Sequence, residues 1–286
     1  QIVDAPAPVR TVALVGSDGP LGRRVTRLLA DDPASLPRAV APGDRDLVST
    51  FNGSSVVVVL DVDSDGDLGG VTGSPTYLAL VRRALGAAAE AGVTSVVVLS
   101  SALVYGAWAN NPVPLTEDAP LRPVPSCATA TERAEVERLV AEWRAEDGGR
   151  TAAVLRPVVT VDTELVEWLK ASPWSPTRSG SGEGEPPRQF LHLGDLASAV
   201  VLAADRRLDG AYNVAPDGWL SDDELRALAG RARLRRPLAL RRVTEAVAPY
   251  LELPWVVAND KLRAAGWAPQ QSSAEAFIEV DRTGVL

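Results

Sequence analysis

The sequence predicts an α/β fold: a doubly wound parallel sheet with a small C-terminal α/β lobe. Three observations predict it. Short runs of valine and other apolar residues at 11–15, 55–60, 95–100 and 151–155 read as strands, and the unbroken ones as strands buried on both faces. Helical segments alternate with them up to about residue 161, the order that builds a parallel sheet with helices on both sides. Beyond 162 the pattern loosens into short helices and extended pieces, a smaller lobe over the carboxyl edge of the sheet, where ligands bind in such folds. Residues 1–10 are Ala/Pro-rich and read as a flexible leader, 11–162 as the core, and 163–286 as mostly substrate lobe with some segments returning to the core.

The first strand, 11–15, runs into Gly16, Gly19 and Gly22 at three-residue spacing. A helix to about residue 30 follows, with Leu21, Val25, Leu28 and Leu29 on one face. Strand, glycine turn and helix N-terminus make a Rossmann-like dinucleotide cradle from Gly16, Ser17, Asp18, Gly19, Pro20, Leu21 and Gly22. Gly16 permits the sharp turn, Gly19 lets backbone approach a pyrophosphate, and Gly22 lets helix and strand pack closely. Helix N–H groups and the helix dipole face the anion.

The next region, 31–55, is broken by Pro33, Pro37, Pro42 and Gly43 and leaves room for one weak strand at 38–41. An acidic loop at 61–74 follows the strand at 55–60. Its run Asp61-Val62-Asp63-Ser64-Asp65-Gly66-Asp67 starts like a calcium loop, but its twelfth position is Thr72 and a strand precedes it, so it reads as a solvated loop. Helices are predicted at 77–91 and 129–146, with a proline-rich loop at 108–125 between the strand at 95–100 and the second of them. The strand at 151–155 is closed by Arg156-Pro157. In the lobe, helices are predicted at 163–170, 195–205, 221–231, 243–251 and 259–265. Extended pieces fall at 189–193 and 211–214, and a Pro/Gly/Ser-rich stretch at 172–187. Ser221 and Glu224 form a capping box.

Composition sets bounds. The net charge of −8 argues against a nucleic-acid or anionic-membrane surface. No apolar run reaches spanning length and no signal peptide is visible, so the expectation is a cytoplasmic protein with a small-molecule ligand. Cys127 is the only cysteine and His192 the only histidine, so no metal site is expected. Lys170 and Lys261 are the only lysines.

Several motifs, in order, carry a resemblance. They are the glycine turn at 16–22, VVVLSSALVYG at 96–106, PLTEDAPLRP at 114–123, RAEVERLV at 133–140, LRP at 155–157, FLHLGDLA at 190–197, YNVA at 212–215, NDKLR at 259–263 and Gly266-Trp267. Together they resemble the extended short-chain dehydrogenase/reductase superfamily, in its NAD-dependent epimerase/dehydratase branch. The resemblance implies a Rossmann-like core, NAD or NADP as cofactor and a homodimer through the helices at 77–91 and 129–146. It also implies a relay in which Ser or Thr bonds the substrate oxygen, Tyr is the acid/base, and a Lys four residues after the Tyr tunes it.

Ser101 falls on the serine position. The tyrosines are Tyr77, Tyr105, Tyr212 and Tyr250, and none has Lys four residues on; Thr129 and Arg133, or Cys127 and Thr131, stand at the Tyr and Lys positions. A Thr hydroxyl is too weak an acid, and arginine keeps its proton. The usual relay is therefore not expected. Tyr105 reads either as a wall of the cleft or as a substitute acid.

On the cofactor side, Asp44 or Asp46 stands for an acidic residue that reaches the adenine in the resemblance, and Arg133 for the residue that holds the ribose. The intact glycines favour a dinucleotide; Asp18, Asp61 and Asp63 would repel its phosphates. Glu117, Arg156, Trp108, Trp168 and Trp174 are candidate cleft residues, and His192 reads as structural. Three functions follow: a nucleotide- or metabolite-binding protein without ordinary redox turnover, an enzyme of other chemistry using Ser101, Tyr105, Glu117 and Arg156, or an epimerase or reductase using Tyr105.

Overall fold

The computed structural model describes residues 9–60, 75–166, 169, 172, 186–229 and 241–281. The elements are β1 Arg10–Val15, α1 Pro20–Asp31, β2 Ser35–Val40, α2 Leu47–Phe51, β3 Val56–Val59, α3 Pro75–Glu90, β4 Ser95–Leu99, α4 Ala128–Ala145 and β5 Thr151–Pro157. They continue with β6 Val159–Val161, β7 Phe190–His192, α5 Leu193–Arg206, β8 Gly210–Val214, α6 Asp222–Ala229, α7 Arg241–Glu252, α8 Asp260–Ala264 and α9 Ser273–Asp281. Short 3-10 turns lie at Ala102–Tyr105 and Thr163–Leu165.

The main sheet runs β2-β1-β3-β4-β5-β8, and every pairing in it is parallel. The chain passes from β1 outward to β2, then returns to the other side of β1 as β3. The crevice of a doubly wound sheet therefore opens at the carboxyl ends of β1 and β3. Strand residues alternate between two cores. Leu14, Val58, Leu99 and Leu155 point to the face packed by α1 and α5; Val15, Val59, Val98 and Val154 point to the face packed by α3 and α4. Valine on both faces fits strands with no solvent side, and each such buried side chain contributes about 1.5–3 kcal/mol.

The smaller sheet pairs β6 with β7 in parallel, and α9 packs on β7. α5 crosses back to lie against α1, and β8 completes the main sheet beside β5. The capping box at Ser221 is present: its backbone N–H donates to the Glu224 carboxylate at 2.8 Å, and the Glu224 N–H donates to Ser221 Oγ at 3.3 Å.

The fold departs from the sequence expectations in places. Arg156 and Pro157 belong to β5 rather than ending it, because parallel pairing with Asn213 and Val214 of β8 extends the strand. The broken stretch before β3 forms strand β2 and helix α2, whose N-cap Asp46 accepts from the Ser49 N–H. β6 and α9 gave no clear signal in the sequence. The calcium-like run at 61–67, Trp168 and Trp174 lie outside the described residues.

Candidate functional site

The glycine turn has the geometry its spacing predicts. Gly16 has φ +87°, open to glycine and strained for other residues. A Cβ on Gly22 would meet the Gly16 carbonyl oxygen at 2.2 Å, so only glycine lets α1 close on the turn. Gly19 is the N-cap of α1, Pro20 follows it, and a Cβ at Gly19 meets nothing within 4 Å. Ser17 and Leu21 are buried, while Asp18 is exposed. Among the described residues, nothing comes within 4 Å of that Cβ position and no side-chain bond caps the helix N-terminus. A pyrophosphate fits there.

Charges flank the turn. Arg23 donates to the Asp18 carbonyl at 2.6 Å and to Glu164 at 2.7 Å. Arg24 donates to Asp162 at 2.7 Å. His192 Nε2 stands 3.2 Å from Asp162, and its Nδ1 accepts the Gly194 N–H at 3.2 Å as the N-cap of α5. The lone histidine is thus a structural link between α1, the end of β6 and α5.

Asp44 does not face the turn as a free carboxylate. Its oxygens accept from the Asp46 N–H at 2.9 Å and the Thr50 hydroxyl at 2.7 Å, and these bonds hold its carboxyl below the usual range. These bonds organise the entry to α2, in the region expected to reach the adenine.

The other candidates gather at the carboxyl ends of β4, β5 and β8, where they bond to one another. Tyr105 is 1% exposed. Its hydroxyl donates to Asn213 Oδ1 at 2.7 Å and accepts from Arg156 Nη1 at 2.6 Å. Arg156 forms a two-pronged pair with Glu137, Nε to Oε1 at 3.0 Å and Nη2 to Oε2 at 2.6 Å. Ser100 Oγ donates to the same carboxylate. Glu117 accepts the Asn213 N–H at 2.8 Å. Burial, reinforced by the Glu117 and Glu137 charges and only partly offset by Arg156, pushes the Tyr105 phenol up to about 12. A phenol so held is a poor general acid or base near neutrality.

Ser101, also buried, accepts the Leu103 N–H at 3.2 Å as the cap of the 3-10 turn. Arg156, expected in a cleft, lies in the core because Glu137 on α4 pairs its charge there. Trp108 is half-buried and its indole donates to the Arg122 carbonyl at 2.8 Å, fixing the loop after the 3-10 turn. Arg133 is 5% exposed and stacks on Tyr77, 3.9 Å from guanidinium carbon to ring centroid. It faces a phenol of α3 instead of an open groove.

One Tyr–Lys neighbour pair occurs among the described residues, Lys261 over the Tyr212 ring at 4.5 Å. Tyr212 bonds the Asp209 carbonyl and Lys261 the Ala211 carbonyl, at the amino end of β8. That is the end of the sheet opposite the glycine turn.

Sequence reasoning missed a cleft in the lobe. It has about 350 Å³ of free space, open to solvent, and its lining includes Val159, Arg188, Phe190, Tyr250, Trp255 and Val256. Gln189 fixes one wall by bonding the Gly218 and Val257 carbonyls and the Val257 N–H. Tyr250 and Trp255 stand edge to face at 5.5 Å. No periodicity marks these residues, which meet only when α7 folds over β6 and β7. Among the described residues no cluster of three or more His, Cys, Asp or Glu could hold a metal, and no helix is long and apolar enough to cross a membrane.

Residues 73–161 match the model of the NAD dependent epimerase/dehydratase family. No curated protein matches the sequence significantly. Solved structures share the fold over nearly the whole chain. A short-chain dehydrogenase/reductase superfamily protein from Agrobacterium tumefaciens with bound NAD matches at TM-score 0.70 and 18% identity, covering 96% of this chain and 98% of that one. The UDP-glucose 4-epimerase of Thermus thermophilus in complex with NAD matches at 0.69 and 19%, covering 96% and 100%. MoeE5 in complex with UDP-glucuronic acid and NAD matches at 0.69 and 20%, covering 96% and 99%. The family match over 73–161 agrees with the epimerase/dehydratase resemblance read from the motifs, and the expected Rossmann-like α/β fold is borne out.

Proposed function

We propose that this chain is a nucleotide- and metabolite-binding protein on an epimerase/dehydratase scaffold that carries out no ordinary hydride transfer. The observation that carries this reading is Tyr105. The one tyrosine beside the serine position is locked between Arg156 and Asn213, with its proton held up to about 12. It has no lysine four residues on, and Ser101 is engaged with its own backbone turn. The glycine turn supports NAD or NADP as the nucleotide; the solved neighbours named above have NAD bound. When bound, such a cofactor supplies hydride chemistry, but the residues at the Tyr and Lys positions here, Thr129 and Arg133 or Cys127 and Thr131, include no tyrosine–lysine pair to relay the matching proton. The lobe cleft, with the aromatic side chains of Phe190, Tyr250 and Trp255 and aliphatic walls, suits a small molecule with a flat apolar part.

The test pairs binding with turnover. A saturating adenine nucleotide raises the melting temperature by several degrees, as ligand linkage requires. Incubation with NAD and UDP-sugars or simple alcohols gives no NADH absorbance and no epimer. Measurable turnover with a dinucleotide overturns the reading. The assembly we propose is the homodimer that the resemblance implies, through α3 and α4. Light scattering of the full chain is expected to give the dimer mass, and a monomer mass overturns that assembly.

A further inference from the structure

The residues present fit one half of a dinucleotide and not the other. A dinucleotide seated on the glycine turn spans the switch point, with its adenosine on the β2 side and its second nucleoside over the ends of β3 and β4. In this chain that second side is filled from within. Tyr77, in the first turn of α3, is fully buried. Its hydroxyl donates to the Leu99 carbonyl at 2.7 Å and lies 3.3 Å from the Val59 carbonyl, the last residues of β4 and β3. The phenol therefore caps the two strand ends that the second nucleoside would cover.

Arg133 locks it there. Its guanidinium lies 3.9 Å from the ring centroid while its own side chain is almost wholly buried, a cation held on an aromatic face away from water. The helices that carry the two residues are tied at the same place: the Leu78 N–H donates to Glu132 Oε1 at 3.3 Å. On the β1–α1 side no described residue comes within 4 Å of a Cβ built on Gly19.

We propose that the Tyr77–Arg133 stack closes the nicotinamide side of the crevice, making the chain a receptor for adenosine diphosphates such as ADP and ADP-ribose. A whole dinucleotide would bind through its ADP half and leave its nicotinamide in solvent. This rests on the reading that the glycine turn holds a nucleotide, and it adds which part of the nucleotide is recognised.

Calorimetric titration of the full chain with ADP-ribose, NAD and nicotinamide mononucleotide tests it. The expected result is ADP-ribose and NAD within about threefold of each other, and no binding of the mononucleotide. NADH bound to the protein keeps the emission maximum it has in water. Tyr77→Ala, which empties the space, favours NAD over ADP-ribose by about tenfold, while Tyr77→Phe, which keeps the ring, leaves the ratio as in the wild type. The wild-type ratio and the Phe variant decide the matter if the Ala variant does not fold. A wild-type preference for NAD of about tenfold or more, or a blue shift of bound NADH, overturns this inference and leaves the nucleotide reading standing. Failure of both ADP-ribose and NAD to bind overturns both.

Discussion

The two sides of the switch point are built from different materials. On the β1–α1 side the site is backbone: a positive-φ Gly16, a Gly22 pressed on the Gly16 carbonyl, and the helix N-terminus behind Gly19, which no described side chain caps. On the side of β3, β4 and β5 the space belongs to side chains. Tyr77 and Arg133 cover the ends of β3 and β4, and Tyr105, Arg156, Glu137 and Asn213 bond one another beside β5 and β8. A backbone cradle needs only small residues in the right order. A proton relay needs a phenol with a reachable hydroxyl and a tuned pKa. The chain has the first; the described residues at the second position pack and pair instead.

The sharpest way to break the comparison is to attack the side-chain half. Glu137 and Arg156 are both 7% exposed at their side chains. Glu137→Ala strands a buried guanidinium and is expected to lower unfolding stability by about 3–5 kcal/mol in urea titration. Combining Glu137→Leu with Arg156→Met recovers most of that loss, because removing both charges removes the stranded one. A mild effect of the single variant would mean that water reaches the pair and that the region is a cleft after all.

The backbone half predicts a split between neighbouring glycines. Gly22→Ala forces a Cβ to 2.2 Å from backbone and costs about 1–3 kcal/mol. Gly19→Ala has room and costs no more than about 0.5 kcal/mol. The new methyl nevertheless stands where a pyrophosphate would approach, so ADP-ribose affinity falls by about tenfold or more. Equal stability losses for the two variants would contradict the geometry of the turn.

That split is legible in the amino-acid order alone, because glycine spacing reports backbone directly. The same holds for β3 and β4, whose unbroken valines announce burial on both faces. The absence of a Tyr–Lys pair at the expected spacing is legible too, since it is a matter of counting. What takes its place is not. Tyr77 and Arg133 lie far apart in sequence and meet only because βα crossovers start both helices at the same sheet edge. Arg156 reads as a cleft residue because a lone arginine gives no sign of its partner; Glu137 lies on another element. The bonds that Asp44 accepts from Asp46 and Thr50 are unannounced for the same reason, those partners being ordinary residues nearby in the chain.

Tyr105→Phe probes the boundary between packing and chemistry more gently. It removes one donated and one accepted bond in a buried setting, and a loss of about 1–2 kcal/mol is expected. Nucleotide binding is unchanged, because the phenol bonds Asn213 and Arg156, away from the glycine turn and the Tyr77 stack. A variant of normal stability that has lost an enzymatic turnover would restore Tyr105 as the acid.

The mildest test concerns the link between the halves of the molecule and the lobe, and it is a matter of pH. The hydrogen bond with Asp162 raises the His192 pKa above its ordinary value; burial opposes this, and the Asp162, Glu279 and Asp195 charges reinforce the rise. Burial pushes Asp162 up, but bonds from His192 and the Glu164 N–H, with the Arg24 charge, hold its carboxyl below the usual range. Protonation of His192 gives up the acceptor for the Gly194 N–H, a bond of 3.2 Å to a neutral donor, while the carboxylates attract the cation. A folded-state pKa above the unfolded value of about 6.5 means that the stabilisation is complete below that pH and is lost as pH rises through the folded value. Asp162 contributes in the opposite sense, above its unfolded value of about 3.9, and loses its contribution as pH falls through its folded one. The stability difference between wild type and His192→Gln is therefore expected to be largest between those limits and to shrink toward alkaline pH. A difference that stays flat from acid to alkaline pH would mean that the imidazole serves only as the cap of α5 and carries no charge in the link to α1.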